Sequence, residues 1–164
     1  MSEIWFTSDL HLGHKLHATK RGFSSVEEHN HAVISKLYST VGKRDKLFII
    51  GDLSLNRHYL NSLHSVPGTK ELILGNHDKL HIREYLTFFN KVHGFRKYGT
   101  FWLSHCPIHP QEMVRVEGNI HGHIHSKAIT NNLPYPYFNV NMDFHNLYPV
   151  NFETIKEWFR KNGT

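Results

Sequence analysis

Short apolar runs separated by polar, glycine-containing turns set the pattern of the first half of the chain. Residues 4–8, 46–50 and 71–74 each predict a strand, and the last two are apolar enough to be buried on both faces. Apolar positions between residues 26 and 41 recur on one stripe and predict an amphipathic helix. Ser24 and Glu27 have the spacing of a capping box at its start. A second helix is predicted over about residues 80–89, and residues 10–23 are predicted to form a loop.

The second half is richer in predicted strands. Residues 91–93, 100–104 and 137–142 have strand character, and an amphipathic helix is predicted over residues 155–160. Strands that alternate with helices early and dominate late are typical of packed sheets with outer helices. We therefore expect one domain over residues 1–164, an α/β fold of the α+β sandwich type with two packed β-sheets flanked by helices.

Composition excludes several classes of protein. With 39% hydrophobic and 20% charged residues, the 164-residue chain is expected to be neither disordered nor membrane-embedded. A single cysteine, Cys106, excludes an internal disulfide framework and a multi-thiolate zinc site. The start of the chain has no basic and apolar leader, which favours a cytoplasmic protein with no membrane partner. A net charge of +5 favours anionic partners, and 16 histidines against 14 carboxylates favour a metal or acid–base site.

Polar side chains follow the predicted strands at the points where those strands end. Ligands in sheet proteins of this class bind beyond the carboxyl ends of the strands, so these side chains are expected to share one site. Residues two apart, such as His123 and His125, point to the same side of an extended chain. The side chains that together predict a metal site are Asp9, His11, Asp52, Asn76, His77, His105, His123 and His125.

These residues stand in an ordered set of motifs: DLH from Asp9, GD from Gly51, GNHD from Gly75, SH from Ser104 and GHIH from Gly122. The set resembles that of the calcineurin-like metallophosphoesterase superfamily. The segments FTSDLHLGHK and RGFSSVEEHN resemble specifically its small, single-domain bacterial and phage phosphoesterases. The motifs span residues 9–125, and five ordered matches arise by chance far less often than any one of them.

The resemblance implies the metallophosphoesterase fold, a β-sandwich with helices on both outer sides, and a pair of divalent metal ions. The first ion would be bound by Asp9, His11 and His125. The second ion would be bound by Asn76, His105 and His123. Asp52 would bridge the two ions. Nitrogen and oxygen ligands favour Mn²⁺, with Fe, Zn, Ni or Co as alternatives.

The activity implied is hydrolysis of phosphate esters by metal-activated hydroxide attack on phosphorus, with phosphodiesters favoured over monoesters. His77 would face the substrate as a general acid or as a stabiliser of the phosphoryl group. Many relatives carry a residue that orients this histidine at the position of Leu55, so that partner is missing here. Asp78 is expected to cap a helix or accept from a loop amide.

His14 and Arg21 are candidate contacts to the substrate phosphate, because they lie in the loop after the first motif. The phosphate ester implied by the resemblance could belong to a nucleotide or to a nucleic-acid end. A nucleic-acid-processing nuclease of the same superfamily is the main alternative, although the chain has no basic run interleaved with aromatic residues. A scaffold that kept the fold and lost the chemistry is a third hypothesis, which the complete set of eight site positions disfavours.

Overall fold

The computed structural model describes residues 2–125 and 136–162, and in them two mixed β-sheets pack together. The first sheet has the spatial order β4 (Lys91–His93), β3 (Thr69–Ile73), β2 (Lys46–Ile50), β1 (Ile4–Thr7) and β9 (Val150–Asn151). Strands β1 to β4 are parallel and β9 is antiparallel to β1. The second sheet has the order β5 (Arg96–Tyr98), β6 (Phe101–Ser104), β7 (Gly118–His121) and β8 (Tyr137–Asn139). The predicted α/β class with two packed sheets is confirmed.

Side chains along β2 point alternately to the two faces of the sheet, and this explains the layers of the molecule. Phe48 and Ile50 point into a core that the two sheets share, whereas Leu47 and Ile49 point into a core between the first sheet and helices. Both faces of this strand are therefore buried, which is why its sequence is apolar at nearly every position.

Five helices accompany the sheets in the described residues: α1 (Lys15–Lys20), α2 (Val26–Thr40), α3 (Arg57–Leu60), α4 (Ile82–Tyr85) and α5 (Phe152–Asn162). Buried side chains of α2, α3 and α4 belong to the core on the helical face of the first sheet. Helix α5 contributes Ile155 and Phe159 to the core that the sheets share. None of the helices in this part of the chain is both long and apolar enough to cross a bilayer.

Several predicted boundaries were wrong for local reasons. The N-cap of α2 is Ser25, whose side chain accepts from the Glu28 backbone N–H, while Ser24 bonds to the Glu28 carboxylate. The predicted loop over residues 10–23 contains α1, which is too short to show an apolar period. Helix α4 covers only four residues of the predicted 80–89. Strand β5 was missed because two of its three residues are charged, and β9 was missed because it has only two residues.

A buried carboxylate links the two sheets at a point away from the carboxyl ends of the strands. Glu71 on β3 is 2% exposed and forms ion pairs with Lys46, at 3.1 Å, and with Arg96 on β5. His93 lies 3.3 Å from the same carboxylate. These partners compensate for the burial of the charge and fix the position of the second sheet relative to the first.

Candidate metal centre

The carboxyl ends of β1, β2, β3, β6 and β7 converge at one edge of the two sheets. The Asp9 backbone N–H donates to the Gly51 carbonyl at 2.9 Å, and the His123 backbone N–H donates to the Asp9 carboxylate at 3.0 Å. Positive φ angles concentrate here, at Asp9 (59°), His11 (47°), Asp52 (56°) and His123 (66°). Such angles are costly for residues other than glycine and cluster at functional sites.

One glycine allows the strand ends to approach this closely. Gly51 has a φ of 77°, and a Cβ there would lie 2.5 Å from the His105 Nδ1 atom and 2.6 Å from the Gly75 Cα atom. Only a residue without a side chain fits between the end of β2 and the neighbouring loops.

The first group of candidate metal-ligating residues contains Asp9, His11 and His125. The His125 Nε2 atom lies 3.4 Å from Asp9 Oδ1 and 3.3 Å from His11 Nε2. His11 Nε2 is 3.8 Å from Asp9 Oδ1. Asp9 is fully buried, and in the part of the chain that the structure describes its Oδ1 atom has no hydrogen-bond partner, although Oδ2 accepts from Ser8 and His123. A buried carboxylate oxygen facing two imidazole nitrogens is the arrangement that a cation satisfies.

The second group contains Asp52, Asn76 and His105. His105 Nε2 lies 3.3 Å from Asp52 Oδ2 and 3.1 Å from Asn76 Oδ1. The same Asp52 oxygen is 3.8 Å from His11 Nε2, so Asp52 faces both groups. One potential metal-ligating atom from each of His105, His123 and the exposed Cys106 lies within 4.8 Å of the other two. The structure thus brings the seven predicted ligand residues together at one edge.

Two of the candidate ligand histidines, His105 and His125, are oriented by hydrogen bonds at their Nδ1 atoms. His105 Nδ1 contacts the Ile50 carbonyl at 2.8 Å, and His125 Nδ1 contacts Asp143 Oδ2 at 2.6 Å. Each bond places a proton on Nδ1 and turns Nε2 toward the site, as is usual for metal-binding histidines. Asp143 was missed by the sequence analysis, because it lies outside every motif and reaches His125 only through the fold.

The charges around His125 favour a cation. The hydrogen bond to Asp143 and the neighbouring charge of the Asp9 carboxylate raise the pKa of His125 to about 9. Burial alone would raise the pKa of Asp143, but His125 and Arg21 outweigh it and lower that pKa to about 2. Burial, with His17 beside it, lowers the pKa of His11 to about 2. One imidazole is therefore neutral and ready to bind, whereas the other holds a proton that a metal ion would displace.

His17 was also missed, because α1 was predicted as loop. Its ring stacks on His11, with 3.7 Å between the centroids and 10° between the planes, and lies 4.8 Å from the His125 ring. Burial lowers the pKa of His17 to about 4. The parallel stacking supports the orientation of the His11 ring.

His77 lies at the mouth of the site and outside both donor groups. Its ring is exposed and lies 6.0 Å from the His11 ring, and its backbone N–H donates to Asp52 Oδ1 at 3.0 Å. Leu55 is 57% exposed, and the Asn56 side chain caps α3. Among the described residues, none hydrogen-bonds to the His77 imidazole.

Asp78 accepts from loop amides, as predicted. Its carboxylate receives the backbone N–H groups of Asp52, Leu53 and Gly75 at 2.8–2.9 Å. These bonds hold the loops after β2 and β3 together. Burial raises the pKa of Asp78 to about 6 against the opposing effect of these amides.

The two predicted substrate contacts have different surroundings. His14 precedes α1 and its ring lies 5.7 Å from the His11 ring, on the same side of the site. The Arg21 guanidinium is engaged within the protein. It donates to the carbonyls of Asp9, at 2.7 Å, and Leu10, at 3.1 Å, and pairs with Asp143 at 2.7 Å. With a side chain 7% exposed, Arg21 holds the first motif in position and also lines the cavity at the site, and its contact with substrate stays a prediction.

Comparisons with known proteins give relatives without an assigned function. No protein-family model matches the chain. The chain is 36% identical to the Gene 66 protein of Mycobacterium phage L5, over 79% of this chain and 80% of that protein. It is 33% identical to the Gene 66 protein of Mycobacterium phage D29, over 92% and 93% of the two chains. An uncharacterized protein of Methanocaldococcus jannaschii is 28% identical, over 98% of this chain and 93% of that one.

A solved structure shares the fold. The crystal structure of a protein of unknown function from Aquifex aeolicus matches with a TM-score of 0.76 at 23% identity. The match covers 96% of this chain and 100% of that chain. The two-sheet architecture is therefore present in a protein of distant sequence.

Proposed function

We propose that this chain, which belongs to the family of the mycobacteriophage gene 66 proteins, is a two-metal phosphodiesterase with the calcineurin-like metallophosphoesterase fold. One observation carries the proposal. Within residues 2–125 and 136–162, the buried Asp9 Oδ1 atom has no hydrogen-bond partner, and it faces the Nε2 atoms of His11 and His125. A buried charged oxygen without a partner is expensive, and a metal ion at this point would remove the cost.

The donor set fits a pair of divalent ions. Two carboxylates, one amide oxygen and four imidazoles suit Mn²⁺, Fe²⁺, Zn²⁺, Ni²⁺ or Co²⁺, of which Mn²⁺ is our first choice. Asp9, His11 and His125 would hold one ion, and Asn76, His105 and His123 the other, with Asp52 between them. When bound, the ions would supply Lewis-acid polarisation of a phosphoryl oxygen and a water of lowered pKa.

The protein's own residues then account for orientation and proton transfer. The Asp52 carboxylate accepts the His77 backbone N–H and thereby holds the GNHD loop against the ligand groups. From the mouth of the site, the His77 imidazole can donate a proton to a departing ester oxygen or stabilise charge on the phosphoryl group. Asp143 and the Ile50 carbonyl keep the ligand histidines in the tautomer that binds.

A diesterase is favoured over a nuclease by the shape of the site. His77 and four of the candidate ligands, His11, Asp52, His123 and His125, line a cavity of about 640 Å³, a size suited to a small ester. The complete donor set disfavours a scaffold, since a scaffold has no need of a buried, unpartnered carboxylate oxygen.

The test uses chelator-treated protein to which Mn²⁺ is added back. We expect two ions to bind per chain by calorimetry and bis-p-nitrophenyl phosphate to be hydrolysed only with metal. Asp52→Asn removes the charge shared by both groups, so activity should fall by about 10³-fold or more and metal content should drop below two. Glu157→Gln loses the same charge on the exposed face of α5 and should match the native protein. A native-like Asp52→Asn variant with two ions would refute the assignment.

A further inference from the structure

The backbone of the DLH motif is held in a strained conformation. Asp9 and His11 have positive φ angles of 59° and 47°, and neither residue is a glycine. Such angles are unfavourable for residues with a side chain and persist only where the surrounding contacts fix them. The first sheet supplies part of this support, because the His11 backbone N–H donates to the Asp52 carbonyl at 3.0 Å. The carbonyls of the motif are held by a different part of the molecule.

Arg21 holds these carbonyls, and His29 in turn holds Arg21. One terminal nitrogen of the guanidinium, Nη2, donates to the Asp9 carbonyl, and the other, Nη1, donates to the Leu10 carbonyl. Nη1 also lies 2.9 Å from His29 Nε2. Because a guanidinium can only donate, Nε2 accepts from it and the ring proton of His29 is on Nδ1. The imidazole in this contact is therefore neutral.

His29 is a firmly packed anchor on α2. It is fully buried, and Phe23 packs edge-on against its ring, with 5.4 Å between the centroids. Burial, with the charge of Arg21 beside it, lowers the pKa of His29 to about 4. The ring thus remains neutral, and able to accept from Arg21, at neutral pH.

Asn30, the next residue of α2, contacts the other end of the motif loop. Its Oδ1 atom accepts the Gly13 backbone N–H at 2.9 Å. Two successive side chains of α2 therefore hold residues 9–13. His29 acts on two carbonyls through Arg21, and Asn30 acts directly on an amide. Neither side chain is among the candidate metal ligands.

Resting on the proposed function, we infer that His29 and Asn30 are positioning residues for the first metal ion. They fix the strained backbone of residues 9–13, so that the Asp9 carboxylate and the His11 imidazole stay aimed at one point, and they do so without touching the ion. Removal of either acceptor leaves a donor unpaired, on Arg21 or on Gly13, and allows the motif to relax toward ordinary φ angles. Metal affinity then falls, because the ligands are no longer held in place before the ion binds.

The test measures the Mn²⁺ affinity of the full chain by competition with a fluorescent chelator. His29→Leu removes the acceptor at similar size and should weaken binding of the first ion about 3–10-fold, less than the roughly 10–100-fold effect of a group bonded directly to a ligand. His29→Gln keeps a side-chain acceptor and should restore most of the affinity. Asn30→Ala should weaken binding about 2–5-fold, the worth of one hydrogen bond. His31→Leu makes the same change at an exposed position of α2 and should bind as the native protein does.

A double-mutant cycle separates positioning from packing. Arg21→Met removes every donor through which His29 acts, while keeping a long side chain. In that background His29→Leu should change the affinity less than about twofold, because its route to the motif is gone. Equal weakening with and without Arg21, or native affinity in His29→Leu, would overturn the inference. Asn30→Ala, at a half-buried position, keeps the test decisive if His29→Leu does not fold.

Hydrolysis of bis-p-nitrophenyl phosphate by the same samples separates this inference from the proposed function. If Mn²⁺ binding depends on His29 and Asn30 but no diester is hydrolysed, the phosphodiesterase proposal fails and the positioning role stands. If the native protein hydrolyses the diester and the variants bind Mn²⁺ as tightly as it does, the enzyme stands and the positioning role fails.

Discussion

At the scale of single residues, His77 separates catalysis from metal binding. Its ring lies outside both donor groups, so His77→Ala should retain two ions. Turnover should fall about 10²–10⁴-fold, the usual worth of a general acid or charge stabiliser. Since the imidazole has no hydrogen-bond partner within the described residues, we expect the lower end of that range.

Leaving groups reveal what His77 does. A nitrophenyl ester needs little protonation as it departs, so proton donation predicts a smaller defect there than for a ribose oxygen. Steady-state rates for both esters, with His31→Ala on the exposed face of α2 as control, measure the difference. Loss of one ion in His77→Ala would show that the residue is a ligand.

Asp143 offers a test of ligand orientation. Asp143→Asn removes the charge that orients His125 while keeping a group of the same size, so affinity for the first ion should weaken about 10–100-fold. Competition with a fluorescent chelator measures that affinity directly. Glu153→Gln, an exposed carboxylate on α5, is the matched control and should bind both ions normally. Unchanged affinity in Asp143→Asn would refute the orienting role.

At the scale of elements, the closeness of the strand ends depends on Gly51. Gly51→Ala combines a positive φ with a clash against His105 and the Gly75 backbone. Gly22→Ala has nearly the same φ, 81° against 77°, but open space around it. Urea unfolding should show a loss of about 1 kcal/mol for Gly22→Ala and about 2–4 kcal/mol for Gly51→Ala. Equal losses would mean that crowding at the strand ends is unimportant.

The elements also show what the sequence could predict. Residues 46–50 form a strand with the predicted bounds, because both faces are buried and every position after Lys46 is apolar. The motif residues could be placed together because they follow strand ends, which parallel pairing brings to one edge. Asp143 and His17 could not be found this way, since their roles depend on the packing of a short 3-10 turn and a six-residue helix.

At the scale of the whole molecule, the His125–Asp143 pair makes the stability of the metal-free protein depend on pH. The pKa of His125 is raised from 6.5 to about 9, so its contribution is complete below pH 6.5 and is lost as pH rises through 9. The pKa of Asp143 is lowered from 3.8 to about 2, so its contribution is complete above pH 3.8 and is lost as pH falls through 2.

Urea unfolding in a chelator should follow that window. Between pH 6.5 and 9.5 the free energy of unfolding should decrease by about 1–2 kcal/mol, because solvent screens a pair that is 30% and 24% exposed. Asp143→Asn should flatten the decrease. If native protein and variant lose the same stability over this range, the pair does not control it.

The large sequence separation between the candidate ligands has a consequence for folding during synthesis on the ribosome. The Asp9 carboxylate accepts a hydrogen bond from the His123 backbone N–H, 114 residues further along the chain, and Asp143 hydrogen-bonds to His125. Contacts between residues so far apart in the chain form late, because the intervening loop must close first. A ribosome-bound fragment that ends before β7 would display Asp9, His11 and Asp52 without the histidines that complete the site. Under the proposed function, tight metal capture would thus be postponed until β7 and the segment that carries Asp143 have emerged from the ribosome.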